Sequence, residues 1–282
     1  MIQKKRSSYY LWKVIKYITC IFLAILSILP FWIMFMNATR STYEIQQNAV
    51  SLLPSTYLLD NIKVLLGKSF NPIRGFVNSM IISGGVTACT VYFSSLTAYA
   101  LVAYDWRLRQ PFFSLILAVM MIPAQVTSIG FYQFMYRISM TNSFLPLIIP
   151  AIASPATVFF MRQYLISTLS LDIVNSGRID GAGEFHIFNR IILPIMKPAI
   201  ATQAIFAFVG SWNNLFLPLI LLTDKEKYTM PIMVSLLRGD IYKTEFGSVY
   251  LGLSLTVLPL FIVYFLLSKY IIAGVALGGV KE

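Results

Sequence analysis

The chain has 282 residues, 57% of them hydrophobic and only 12% charged, with a mean hydropathy of +0.74. That balance excludes a soluble globular domain and points to an all-α integral membrane protein. The net charge of +11 is scattered over short segments beside lipid-sized apolar runs, a pattern of topology control and headgroup contact rather than of nucleic-acid binding.

Crossing a hydrocarbon core of about 30 Å takes about 20 helical residues. Runs of that kind lie near 17–37, 76–104, 111–133, 143–161, 199–222 and 246–272, and they predict six transmembrane helices in one domain over residues 1–282. The first run follows Lys4, Lys5, Arg6, Lys13 and Lys16 and is longer than a signal-peptide core of about 7–15 residues, so a retained signal-anchor helix is expected. With the N-terminus inside, the inner segments also carry Arg107, Arg109, Arg162, Arg178, Arg190, Lys197, Lys269 and Lys281. This excess of Lys and Arg over the outer segments places both termini in the cytoplasm.

In the outer segment 38–74, Asp60 is a candidate N-cap and Ile62, Leu65 and Leu66 share a face, predicting an interfacial helix. Cys20 and Cys89 fall within spans, where cysteine behaves as a small apolar residue. Along the second span Ser83, Thr87, Thr90, Ser94 and Thr97, with Gly84 and Gly85 nearby, form a small-residue stripe that reads as a packing seam. On the third, Gln125, Ser128 and Tyr132 are spaced i, i+3, i+7. Pro146, Pro150 and Pro155 mark kinks in the fourth. On the fifth, Gln203, Gly210 and Asn214 share a face, with Phe206, Trp212 and Asn213 close by. These polar and aromatic groups either line a path or join helices to one another.

Residues 170–194 are the polar exception. Gly177, Gly181 and Gly183 predict two short helices meeting at a bend. In the second helix Glu184 sits at the favourable end of the dipole, while Ile187, Phe188, Ile191 and Ile192 form an apolar face and His186, Asn189 and Arg190 a polar one. Docking on a cytoplasmic partner and lying on the lipid interface both satisfy that periodicity. His186 is the sole histidine, so no histidine metal cluster or catalytic triad can be assembled. A phosphate-binding loop would need a glycine where Ile62 precedes Gly67-Lys-Ser69.

Arg178-Ile-Asp-Gly-Ala182, Ile187-Phe188 and Arg190-Ile-Ile-Leu-Pro194 with Lys197-Pro198 resemble the cytoplasmic loop of the inner-membrane permease subunits of ATP-binding-cassette importers, in the carbohydrate-uptake branch similar to maltose-type permeases. Asn78-Ser79, Ala98-Tyr-Ala100, Met121-Ile-Pro-Ala124, Trp212-Asn213, Pro218-Leu-Ile220, Tyr228-Thr-Met-Pro231 and the run from Gly274 to Lys281 extend the likeness. The chain departs from it at Asn175-Ser-Gly177, where the family has Glu-Ala-Ala, and at Trp212-Asn-Asn214, where it commonly has Trp-Asn-Glu.

The resemblance implies a permease-type bundle whose loop couples to an ATPase through Arg178, Asp180, Gly181, Ala182, Gly183, Glu184, Ile187, Phe188, Arg190, Leu193 and Pro194. Ile187 and Phe188 would be the apolar anchors in the ATPase cleft. It further implies a second homologous permease, two ATP-binding subunits carrying ATP and magnesium, an extracytoplasmic solute-binding protein, and a bacterial inner-membrane location. No cofactor is expected in this chain and no enzymatic activity of its own. The spans hold no ionisable residue away from their ends, which disfavours a proton relay and suits an uncharged substrate; the resemblance implies a sugar, with a di- or oligosaccharide expected and monosaccharides and polyols left open. Gln125, Ser128, Tyr132, Gln203, Phe206, Trp212, Asn213 and Asn214 are the candidate sugar path. A self-contained secondary transporter of a neutral solute is the alternative.

Overall fold

The computed structural model describes the backbone of residues 2–67, 70–237 and 244–279, and the side chains of these apart from 2–11, 124–125 and 266–279. In chain order the α-helices are α1 (Ile2–Asn37), α2 (Thr42–Gln47), α3 (Leu58–Gly67), α4 (Pro72–Ala103), α5 (Arg109–Met120), α6 (Ala124–Arg137), α7 (Leu145–Ile148), α8 (Pro155–Thr168), α9 (Leu171–Ile179), α10 (Glu184–Ile187), α11 (Leu193–Ile195), α12 (Lys197–Trp212), α13 (Phe216–Leu221), α14 (Met230–Leu236) and α15 (Phe246–Gly279). A 3₁₀ turn over Ile149–Ile152 joins α7 to α8, and a π-turn over Phe188–Ile192 joins α10 to α11.

Four described helices are long and apolar enough to cross a membrane: Trp12–Asn37, Pro72–Ala103, Leu145–Thr168 and Phe246–Phe265. A fifth arises if Glu184–Ile195 and Lys197–Trp212, bent by 81°, count as one. The six uninterrupted runs expected from hydropathy therefore need correction. The third is two helices, α5 and α6, because Pro123 lacks an N–H and stands extended at the start of α6. The fifth is likewise interrupted at 213–215, between α12 and α13. Pro150 and Pro155 act as expected, the former inside the 3₁₀ turn and the latter opening α8.

The chain divides into two compact units. In the first, Met1–Asn71 with Val234–Val257, the outer helix appears as α3, although Asp60 lies inside it and pairs with Lys63 rather than capping it. Leu65 is buried while Leu66 is exposed. The organising residue is Asn61, whose amide donates to the carbonyls of Ala38 and Arg40, each at 2.9 Å, while its own carbonyl accepts from Ser248. Ser41 and Glu44 form a reciprocal capping box on α2.

In the second unit, Pro72–Met233 with Leu258–Glu282, α4 is the central helix and packs against α8, α12, α7 and the 3₁₀ turn. Ser83, Thr90, Ser94, Ser95 and Ala98 are buried along it, so the small-residue stripe is the seam that brings its neighbours close. At one end Asn78 donates to the carbonyls of Glu226 and Tyr228, Ser79 accepts from the Met230 N–H, and Arg74 pairs with Glu226. The other end carries Tyr99 and Tyr104, which meet the 170–194 loop.

A Cβ at Gly247 would lie 2.4 Å from the Arg40 carbonyl oxygen and 2.5 Å from the Asn61 amide, whereas one at Gly84 would meet nothing within 4 Å. Gly247→Ala is expected to destabilise the solubilised protein by about 1–3 kcal/mol, and Gly84→Ala to leave it unchanged or raise it by up to about 1 kcal/mol. Thermal unfolding in detergent measures both, and equal midpoints would refute the close approach.

Candidate functional site

The 170–194 loop is built from its own backbone first. Ser170 caps α9, accepting from the Asp172 N–H. At the other end Gly181 adopts φ +79°, Ala182 N–H donates to the Gly177 carbonyl and Gly181 N–H to that of Arg178. This 6→1 and 5→2 pair is the Schellman arrangement, which a left-handed glycine permits. Asp180 stands at the cap and Gly183 opens α10. Of the three glycines expected to break the segment, Gly177 does something else. It is buried inside α9, and a Cβ there would sit 3.3 Å from Ile187 and 3.4 Å from Ile191, so its bareness lets the two short helices press together.

Charge then locks the bend. Arg178 Nε donates to Glu184 Oε1 at 2.6 Å, and an Arg178 terminal nitrogen reaches Asn175 Oδ1 at 3.3 Å. The Tyr104 hydroxyl donates to Glu184 Oε2, with the Tyr99 hydroxyl 3.5 Å from the same oxygen. The Arg178 guanidinium lies 5.4 Å from the Tyr104 ring centroid. Arg178 and then Tyr104 hold the Glu184 carboxyl below its ordinary range, and burial together with Glu184 pushes the Tyr104 phenol up. Because the folded carboxyl is depressed, this clamp is complete above the unfolded carboxylate range and is lost as pH falls through the lower folded value.

Ile187 and Phe188 are 0% and 1% exposed, which corrects their expected role as outward anchors. They belong to a core with Ala98, Tyr99, Met161, Leu165, Val174, Ile192 and Met196. Phe188 meets Tyr92 edge-on at 5.7 Å and Tyr99 in a stacked arrangement at 5.8 Å. The π-turn keeps Ile187, Phe188, Ile192 and Met196 buried together ahead of the bend, and Ala182 and Leu193 pack at the margin. Asp180, Gly181, Gly183, Glu184, Arg190 and Pro194 remain exposed. The apolar side chains that protrude most are Ile179 at 86% and Phe185 at 70%, one on each side of the turn, with Leu171 and Ile173 exposed to a lesser degree at the start of α9. Periodicity finds the apolar stripe and not what covers it.

A second feature is a cavity of about 430 Å³ lined by Thr127, Ser128, Phe131, Pro146, Leu147, Pro150, Asn214, Phe216 and Leu217. It gathers Ser128 and Asn214 from the expected path and adds Thr127, Phe131 and Phe216. Gln125 has a side chain outside the described residues. Trp212 is corrected to a core position, 1% exposed, stacked on Phe208 at 5.6 Å and edge-on to Phe76 at 5.8 Å. Gln203 is buried as well. Tyr132, Phe206 and Asn213 are exposed but do not line this cavity; Tyr132 stacks on Tyr136. Asn214, in the break at 213–215 that the hydropathy pattern does not show, is part of the wall here.

Comparison with known proteins follows this geometry closely. The family described as "Binding-protein-dependent transport system inner membrane component" matches residues 90–276. The arabinooligosaccharides transport system permease protein AraQ of Halalkalibacterium halodurans is 34% identical over 262 residues, 92% of this chain and 93% of that protein. The lactose transport system permease protein LacG of Rhizobium radiobacter is 30% identical over 268 residues, covering 95% and 96%. A crystal structure of a bacterial ABC transporter that imports the acidic polysaccharide alginate contains a chain of the same fold, with TM-score 0.79, 22% identity and coverage of 94% and 98%. With its loop motif, its helical fold and full-length relatives all in agreement, the chain belongs to the family of binding-protein-dependent transport system inner membrane components, the permease subunits of ABC importers.

Proposed function

We propose that this permease carries a neutral sugar, a di- or oligosaccharide, across a bacterial inner membrane, and that the 170–194 loop receives the stroke of an ATPase subunit through Ile179 and Phe185. The observation that carries the coupling reading is the exposure of those two side chains beside a turn that the chain itself has fixed. The full assembly would comprise this chain, a second homologous permease, two ATP-binding subunits holding ATP and magnesium, and an extracytoplasmic binding protein that delivers the sugar. The Lys and Arg bias supports cytoplasmic termini and a cytoplasmic loop.

A force on Ile179 and Phe185 passes into α10 and α9 together, because Gly177 brings them into contact and Arg178 ties them through Glu184. From there it reaches α4 through Tyr104 and the Phe188 aromatic contacts, and α12 through the π-turn and the 81° bend. Tyr164 on α8 holds the Ile195 carbonyl at that bend. Movement of α12 relative to α4 would reshape the cavity beside Asn214. Thr127, Ser128 and Asn214 offer uncharged hydrogen-bonding groups and Phe131 and Phe216 flat apolar ones, a set suited to hydroxyls on a ring.

Ile179→Asp with Phe185→Asp should weaken capture of the ATPase subunit by about tenfold or more per residue while the permease still inserts. Ile187→Asp with Phe188→Asp should instead unfold the loop core, read as early protease cleavage within 170–194. The reverse pattern in pull-down and proteolysis would restore the outward-anchor reading. Glu184→Gln should loosen the partly exposed clamp by no more than about 1 kcal/mol, seen as faster amide exchange at 176–184 without loss of assembly; unchanged exchange would remove the clamp from the coupling path. Asn214→Ala should raise the sugar concentration needed for half-maximal uptake several-fold, by roughly the 1 kcal/mol of one hydrogen bond. If uptake in proteoliposomes is unaltered, the cavity is not on the path.

A further inference from the structure

The turn between α4 and α5 forms a hollow of about 390 Å³ lined by Asp105, Trp106, Arg107, Arg109 and Gln110. Its charges do not balance. Asp105 is its one acid; that carboxylate has a 95% exposed side chain and reaches Arg109 only at 3.8 Å. Arg109 also donates to the Tyr104 carbonyl at 3.2 Å. Arg107 is exposed and forms no salt bridge among the described residues.

Arg162 comes in from α8 with its guanidinium 4.1 Å from the Phe113 ring centroid. Its Nε is buried with no hydrogen-bond partner, and the neighbouring charge that acts on it is another cation, Arg109. Arg107 and Arg109 thus line a hollow whose one carboxylate spends itself mostly on water, and Arg162 adds a third guanidinium close enough to Arg109 to feel its charge. An anion with several acceptor oxygens in the hollow would offset this excess of positive charge.

The surroundings say which anion. Trp106 and Leu108 are exposed beside the hollow, and Phe112, Leu115 and Val119, spaced i, i+3, i+7 on α5, continue as an exposed apolar strip. A cationic mouth with an indole at its edge and an apolar strip leading away along a helix is the shape of a headgroup followed by a tail. We propose that this hollow binds the phosphate of an anionic phospholipid, with an acyl chain lying along Phe112, Leu115 and Val119.

The assembled transporter, extracted from vesicles of equal phosphatidylglycerol and phosphatidylcholine, would be assayed by mass spectrometry of the lipid it retains. Phosphatidylglycerol should be enriched, and Arg107→Gln with Arg109→Gln should cut the enrichment by roughly fivefold per arginine, while the matching Lys variants keep it. Should the double variant fail to assemble, Arg107→Gln alone carries the same test. Equal retention of the two lipids, enrichment that survives the Gln substitutions, or displacement of the lipid by inorganic phosphate would each overturn the proposal, the last in favour of a free-phosphate site and the second in favour of lipid bound elsewhere.

Discussion

The second unit depends on how closely other helices can approach α4. Along the stripe of that helix three hydroxyls serve their own backbone, Thr87 bonding the Ser83 carbonyl, Ser95 that of Val91 and Thr97 that of Phe93, while those of Ser83 and Ser94 are buried without a partner among the described residues. Thr90 reaches across instead, donating to the Ala151 carbonyl at 3.4 Å. The stripe therefore works through size. Side chains that reach no further than an oxygen or methyl group allow α8 and α12 to come in, and in a lipid environment, where apolar burial gives little net drive, such close van der Waals contact is a main source of association. Bulk returns only at the loop end, where Tyr92 and Tyr99 hold Phe188.

This arrangement gives the loop a floor. Ile187, Phe188, Ile192 and Met196 are held on one side by the π-turn and fill the space beside Tyr99, Met161 and Leu165. What remains outward is set by subtraction: the glycine turn, polar groups around it, the apolar side chains of Ile179 and Phe185 beside it, and Leu171 and Ile173 at the start of α9. The coupling role proposed for the loop needs both properties, a side committed to its own protein and a side left for another.

Much of this was legible in the sequence, and the failures have physical reasons. Hydropathy located every long apolar helix because burial in lipid makes the same demand along an entire span. It could not see the breaks near Pro123 and Asn214, since an average over about 20 residues passes over an interruption of two or three. The loop motif identified the segment, and helical spacing identified its apolar stripe, but spacing carries no information about whether that stripe meets the chain's own core or a partner. Trp212 was misplaced for the same reason: an aromatic side chain that suits a sugar also suits Phe208 and Phe76. Asn78-Ser79 and Tyr228-Thr-Met-Pro231, read as separate motifs, turn out to be two halves of one set of hydrogen bonds, a relation that only folding brings together.

The Arg178 to Glu184 clamp lies wholly within one polypeptide. Every residue that shapes the turn, from Gly177 through Tyr104, is supplied before any partner arrives. A flexible loop would have to be ordered at the moment of encounter, and that entropic cost would be subtracted from each binding event. Here the ordering is completed during folding, so a partner engaging the loop as proposed would meet a segment already held in shape, and little of the binding energy would go into ordering it.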